Sequence, residues 1–316
     1  MIPGAYIQAW SSTTPWPTLR QVEQDLIICR ALCDLFNAPT LKGKVAFRGG
    51  TAIHKLLFKR PLRYSEDIDL VQLQAEPIGA TVDAIRAALS WLGKCRTERA
   101  EHSMHLVFRF TPEGESESSL KLKVEINTRE HASLFAIKPY PFVVESDWYR
   151  GRAEIASFEP EELFGTKLRA LLQRRKNRDL FDLHHGLNEL QLDLDTVVTC
   201  FNHYLALEGA PISRAMAEQR MLEKLTRSLT EAIAPLLPAG VRFDAAEAVR
   251  AFERVWTELI ARISGEPWKG QDIAVGLTSF DGRCTEPSKT VATYSLDVSD
   301  TCLFKQPRTG RCVKRR

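Results

Sequence analysis

The sequence predicts an α+β front half joined to an all-α back half. Three observations carry that prediction. Leu120, Leu122, Val124 and Ile126 alternate strictly with Lys121, Lys123, Glu125 and Asn127, the period of a half-buried strand. Leu19, Val22, Leu26, Cys29, Cys33 and Phe36 recur every three or four residues, the period of an amphipathic helix. From about residue 158 strand-like periods stop, and helical stripes follow one another.

In chain order, Thr18 and Gln21 form a capping-box pattern at the head of the first helix, which ends near the "NAP" turn at 37–39. The stretch "KVAF" reads as a short strand running into Gly49 and Gly50. A short helix, "TAIHKLLF", is then expected to open at Thr51, and the loop "KRPLRYSE" follows, kept from helix by Pro61. "DIDLVQL" reads as the next strand. After it, Ile78, Val82, Ile85, Leu89 and Leu92 make a helical stripe that Gly93 stops. Strands are expected at "HLVFRF" (105–110) and "LKLKVEIN" (120–127), joined by the acidic "EGESES". Helices follow over 159–176, 178–190, 193–206, 211–236 and 243–264, the last with Val249, Phe252, Trp256, Leu259 and Ile263 on one face. This divides the chain into a core domain at 1–157, a helical domain at 158–266 and an irregular appendage at 267–316, whose basic end reads as a solvated tail.

Composition narrows function only a little. At 316 residues and 44% apolar the chain can bury a sizeable core, and a net charge of +3 neither demands nor forbids nucleic acid. No apolar run approaches the ~20 residues that span a bilayer, and the N-terminus lacks the pattern of a secretory leader, so a cytoplasmic protein with no membrane partner is expected. Seven cysteines is an odd number. Cys29, Cys33, Cys95 and Cys200 fall in apolar helical patterns and read as reduced structural thiols, while Cys284, Cys302 and Cys312 are too widely spaced for a zinc knuckle.

The chemistry concentrates between residues 49 and 69. Asp67 and Asp69 on a strand point to one face at about 7 Å spacing, close enough to share cations. A lone D-x-D is commonly just a solvated strand end. Here Gly49 and Gly50 lie upstream, where the backbone can approach a ligand, and a helix start at Thr51 favours an anion such as a triphosphate. Glu125, on the polar face of the alternating strand, supplies a third acid. The three together would serve two-metal phosphoryl transfer, in which one ion activates a hydroxyl and the other holds the triphosphate. On the helix over 159–176, Lys167 stands among Phe164, Leu168, Leu171 and Leu172, and Arg174 falls on a similar face, a cation pair able to neutralise phosphates. Asp179 and Asp182 share the next helix face, placed to orient Lys167 or Arg178 or to contact the nucleotide.

Taken in order, "RGGTAIHKL", "RYSEDIDL", "LKVEINTRE" and "ELFGTKLRALLQRRKNRDLFDL" resemble the successive motifs of the AbiEii-type nucleotidyltransferase toxins, a family that includes the mycobacterial MenT toxins. The resemblance covers roughly 40–190 through motifs and implies a polymerase-β-like nucleotidyltransferase core with a mixed sheet. It further implies that Gly49, Gly50 and Thr51 hold nucleotide phosphates, that Asp67 and Asp69 bind catalytic metal, and that Lys167 and the "RDLFD" aspartates are functional. Arg63, Tyr64 and Ser65 match the segment before the first aspartate, with Ser65 a positioning or regulatory hydroxyl or a loop cap. Thr51 stands where relatives often carry serine. The implied activity is that of a toxin of a type IV-like toxin–antitoxin or abortive-infection (phage-defence) system. An acceptor hydroxyl attacks the α-phosphate of a nucleoside triphosphate (NTP), with Mg2+ or Mn2+ as cofactor. The implied acceptor is RNA, particularly the tRNA 3′ end, and the implied partner is a cognate AbiEi-like antitoxin encoded nearby. A protein or small-molecule acceptor fits the same core. Two rivals remain: a HEPN-like metal-independent ribonuclease using Arg178 and His184 or His185, and a silent nucleotide-fold binding protein.

Overall fold

A computed structural model describes residues 2–112, 119–174, 176–225, 229–230 and 233–270. The acidic connection at 113–118, the appendage beyond residue 270 and its three cysteines lie outside the described residues.

Helix α1 (Gly4–Trp10) precedes the long helix α2 (Leu19–Asn37), whose expected capping box is present: the Gln21 amide donates to Thr18 Oγ1 while the Gln21 side chain accepts from the Thr18 amide. Strand β1 (Val45–Arg48) runs directly into α3 (Gly49–Ala52), which continues as a π turn over Ile53–Leu57. The helix therefore begins at Gly49, two residues before the expected Thr51, because Arg48 already has extended backbone and serves as the cap. Strand β2 (Asp67–Gln72), helix α4 (Gly79–Ala88), strands β3 (Cys95–Arg99), β4 (Ser103–Phe110), β5 (Leu120–Asn127), β6 (Lys138–Glu145) and β7 (Arg150–Ser157) complete the front half.

Among the described residues the strands form one seven-stranded mixed sheet in the order β3-β4-β5-β2-β1-β7-β6. Strands β2 and β5 pair parallel, as do β1 and β7, and the other neighbours are antiparallel. Three strands lie beyond the sequence expectation. Strand β3, "CRTER", is an edge strand almost without apolar residues, and it carries Cys95, which is thus half-buried on a strand rather than in a helix. Strand β6 holds Pro139 and Pro141, and it too is an edge, the place in a sheet where proline is tolerated. Strand β7 alternates, but its inward positions include small residues, Ala153 and Ser157.

Behind the sheet come α5 (Pro160–Gln173), α6 (Arg178–Glu189), α7 (Leu194–Glu208), α8 (Arg214–Leu225) and α9 (Ala245–Glu258). The expected helix over 211–236 is broken, its described end being a separate 3-10 turn at Ala234–Leu236 with Pro235 inside it. Along α9 the buried stripe is Ala248, Ala251, Phe252 and Val255, so Val249 and Trp256 lie at its margin.

Two apolar clusters hold the sheet between them. Helices α1, α2 and α4 pack on one face against Phe47, Ile68, Leu70, Leu106, Phe108, Leu122, Val124 and Ile126. Helices α5 to α9 form the second cluster, which reaches the sheet at Ala46 and Val71 and includes Phe158 just past β7. On that second face the odd-numbered side chains of β5 remain exposed or half-exposed, so the sheet is open where Lys121, Lys123 and Glu125 project. Gln24, buried in α2, donates its side-chain amide to the carbonyls of Glu66 and Lys121 and so pins the entry of β2 and β5. Among the described residues no helix is long and apolar enough to cross a membrane.

Candidate active site

Strands β1 and β2 set Arg48 opposite Asp69, so the chain leaving β1 turns beside the Asp69 carboxylate. Gly49 makes that turn at φ +84, and a Cβ there would collide with the Asp69 side chain. A Cβ on Gly50 would strike the Arg63 guanidinium, with Lys167 Nζ close behind. The glycines thus let an acid and two cations close onto the start of α3, a demand made by packing before any ligand is considered.

The parallel pairing of β2 with β5 places Asp67 beside Lys123 and Asp69 beside Glu125, gathering all three acids on the open face. Burial, together with the negative charge of Asp67 and Glu125, pushes the Asp69 carboxyl above its ordinary range. Burial also works against Glu125, but the Lys123 hydrogen bond and charge, with His105, hold it below the ordinary range. Lys123 bridges the acids, its Nζ 2.9 Å from Glu125 Oε2 and 3.4 Å from Asp67 Oδ2. His105 Nε2 lies 2.8 Å from Ser103 Oγ and 3.4 Å from Glu125 Oε2. Among the described residues no three His, Cys, Asp or Glu side chains are already gathered as a ready metal cage.

Lys167 enters from α5, with Nζ 3.0 Å from Asp179 Oδ1 and 2.9 Å from Asp182 Oδ2. Asp182 also accepts from Arg63 Nε at 2.6 Å and Nη2 at 2.7 Å, and meets His54 Nε2 at 2.9 Å. The Leu62 amide donates to His54 Nδ1, which leaves the ring proton on Nε2, facing Asp182. All five side chains are buried, two cations against two anions around a neutral imidazole. Burial opposes the Asp182 charge, but Arg63, Lys167 and His54 hold its carboxyl well below the usual range. For His54 burial prevails over Asp182 and lowers it to about 4.

These groups meet at a cleft of about 740 Å³ lined by Gly49, Gly50, Ser65, Asp67, Asp69, Lys123, Glu125, Lys167 and Arg174. A larger groove of about 980 Å³ between α1 and the β6–β7 hairpin contains none of them. Not every expected site residue reaches the cleft. Thr51 is buried, its hydroxyl donating to the Asp67 carbonyl at 2.5 Å and lying 2.7 Å from Ser65 Oγ, so it braces the strand that carries the aspartates. Asp179 and Asp182 lie behind Lys167. Arg174 follows the last turn of α5 in extended backbone, exposed at the cleft mouth, so it does not share a helix face with Lys167. Arg178 also lines the cleft, but His184 is buried with Nε2 on Asn188, so the Arg-x5-His pair is not assembled there.

Residues given no role from sequence complete the wall. Glu130 pairs with Arg48 and, at 2.9 Å, with Arg169, whose other arm reaches Glu208 at 2.7 Å and whose guanidinium lies 5.1 Å from the Tyr204 ring. His54 and Glu130 sit inside the motif segments, and their signal was a polar residue within an otherwise apolar or strand-ending run.

Acids on adjacent strands facing a braced lysine across an open cleft suit phosphoryl chemistry on a nucleotide, and the fold is that of the nucleotidyltransferases. The chain belongs to the nucleotidyl transferase AbiEii toxin family of type IV toxin–antitoxin systems, whose sequence model matches residues 30–258. Among solved structures it is similar to MenT4, a nucleotidyltransferase toxin from Mycobacterium tuberculosis, at 16% identity and a TM-score of 0.58 over 80% of this chain and 88% of that one. It is also similar to JHP933 from Helicobacter pylori, at 16% identity and a TM-score of 0.48 over 78% of this chain and 95% of that one. A search of curated protein sequences gives no match.

Proposed function

We propose that this toxin transfers nucleotides from an NTP to an RNA acceptor, the 3′ end of tRNA, in a reaction that uses Mg2+ or Mn2+. The observation that carries this reading is that the β2–β5 register, with Asp69 beside Glu125 and Asp67 beside Lys123, sets the three acids on one open sheet face, and Lys167 lines the same cleft.

The donor set fits a divalent cation. Three carboxylate side chains are the hard oxygen ligands such ions take, Asp69 is raised by burial and by its acidic neighbours, and an ammonium already bridges two of the acids. Asp67, Asp69 and Glu125 would hold the metal, which when bound activates the attacking hydroxyl and stabilises charge on the leaving pyrophosphate. The amides of Gly49 and Gly50 and the ammonium of Lys167 bind the triphosphate, with Arg174 at the mouth and Ser65 on the wall beside it. Asp179 and Asp182 hold Lys167 in place. The acceptor oxygen forms the new bond to the α-phosphorus, its proton leaves toward the three carboxylates, and the α–β phosphoanhydride bond breaks.

On this reading the segment 1–157 supplies the acids and glycines and 158–266 supplies the lysine. A cognate antitoxin encoded nearby restrains the toxin, and both act in the cytoplasm. Incubating the purified protein with total RNA, Mg2+ and each labelled triphosphate in turn tests the proposal. Label appearing in a discrete RNA band with one preferred triphosphate supports it, and no incorporation with any of the four contradicts it.

A further inference from the structure

Lys123 occupies a position that the proposed reaction does not explain. It lies beside Asp67 in the parallel β2–β5 register, and its Nζ spans Glu125 Oε2 at 2.9 Å and Asp67 Oδ2 at 3.4 Å, the two carboxylates on either side of it. Lys121, two residues earlier on the same face, is exposed, so the strand does not itself force a lysine down onto the acids. Lys123 also lines the cleft and is only half-buried, with open space for its flexible four-carbon stem.

We propose that Lys123 is the resident counter-cation of the acid site, a positioning residue that holds Asp67 and Glu125 together in the free protein and must leave them when a divalent ion enters. This rests on reading Asp67, Asp69 and Glu125 as the metal-holding acids. An ammonium and a divalent ion compete for the same carboxylate lone pairs, and at these separations they repel each other. One side-chain rotation vacates the site without moving the sheet. The nucleotide's polyphosphate then offers the released ammonium a new anionic partner, so nucleotide and metal assist each other's binding.

The test is Mn2+ binding to the full-length protein without nucleotide, read by electron paramagnetic resonance. Lys123→Met is expected to bind Mn2+ about ten-fold more tightly than the parent protein, because no resident cation has to be displaced. Lys123→Arg, which keeps the charge, and Lys121→Met, which removes a charge from the same face outside the bridge, are expected to stay within about two-fold of the parent. Lys123→Gln carries the same expectation as Lys123→Met should the methionine variant fold poorly by thermal unfolding. Equal Mn2+ affinity in the parent and Lys123→Met, or equal tightening by Lys121→Met, overturns this inference while leaving the metal reading intact. Absence of Mn2+ binding in every variant overturns both.

Discussion

Arg63 and Asp182, 119 residues apart in sequence, form a two-armed buried ion pair through Nε at 2.6 Å and Nη2 at 2.7 Å. The loop that leads into the aspartates of β2 is thereby locked to the helix that braces Lys167 from behind. The same loop is held from outside by the Tyr64 amide on the Leu236 carbonyl and by the Tyr64 ring against Trp16. The acids and the cation thus share one rigid frame.

Breaking that frame removes one partner from a buried charge cluster. Asp182→Asn leaves Arg63 and Lys167 short of negative charge and is expected to cost roughly 3–5 kcal/mol of stability. Urea unfolding measures it. A double-mutant cycle of Asp182→Asn with Arg63→Met should show strong coupling, and additive losses would mean the pair does not act as a unit.

The cluster also sets a pH dependence. Burial lowers His54 from 6.5 to about 4, so between those values the unfolded chain binds a proton that the folded one does not. Stability contributed by neutral His54 is therefore complete above about pH 6.5 and falls as pH drops toward 4, by up to about 3 kcal/mol. His184, also lowered to about 4 by burial and the charge of His185, acts in the same window. Asp182 has the depressed carboxyl, so its contribution is lost only below about pH 3.8, as pH falls through its folded value. Unfolding free energies measured from pH 7 to 4 should decline, and less steeply in His54→Gln, which keeps a donor toward Asp182.

Gly49→Ala tests the turn beside Asp69. An alanine there meets both an unfavourable positive φ and the carboxylate itself, so Asp69 must move. A stability loss of about 1–3 kcal/mol is expected, with nucleotide transfer reduced far more than unfolding explains. Thermal unfolding and incorporation assays on the same preparation separate the two effects.

Thr51 bears on the aspartates through its hydroxyl. Thr51→Ser keeps the bond to the Asp67 carbonyl and should retain activity, while Thr51→Val takes the donor from that half-buried acceptor and should cost about 1 kcal/mol. A loss in Thr51→Ser with none in Thr51→Val would instead assign the position to methyl packing.

The acids were legible because the strand period is simple: alternation on β5 fixed which face Glu125 takes, and two-residue spacing did the same for Asp67 and Asp69. What escaped depended on long-range neighbours. Nothing local in "CRTER" or in the proline-bearing β6 announces a strand, because edge strands gain their pairing from the sheet they join. Lys167 was legible as a cation on an apolar helix, but Arg174 was misplaced because α5 ends at Gln173 and the chain straightens. The inward bend of Thr51 and the bridge made by Lys123 follow from tertiary contacts that no spacing encodes.

If nucleotidyl transfer takes place at Asp69 with Lys167 opposite, neither side chain can be spared. The most direct measurement is incorporation of an α-phosphate-labelled NTP into total RNA by the parent protein, Asp69→Asn, Lys167→Met and His184→Ala, all confirmed folded. Mg2+-dependent labelling is expected from the parent and His184→Ala, and none from Asp69→Asn or Lys167→Met. Undiminished labelling by both Asp69→Asn and Lys167→Met, or RNA cleavage abolished only by His184→Ala, would contradict it.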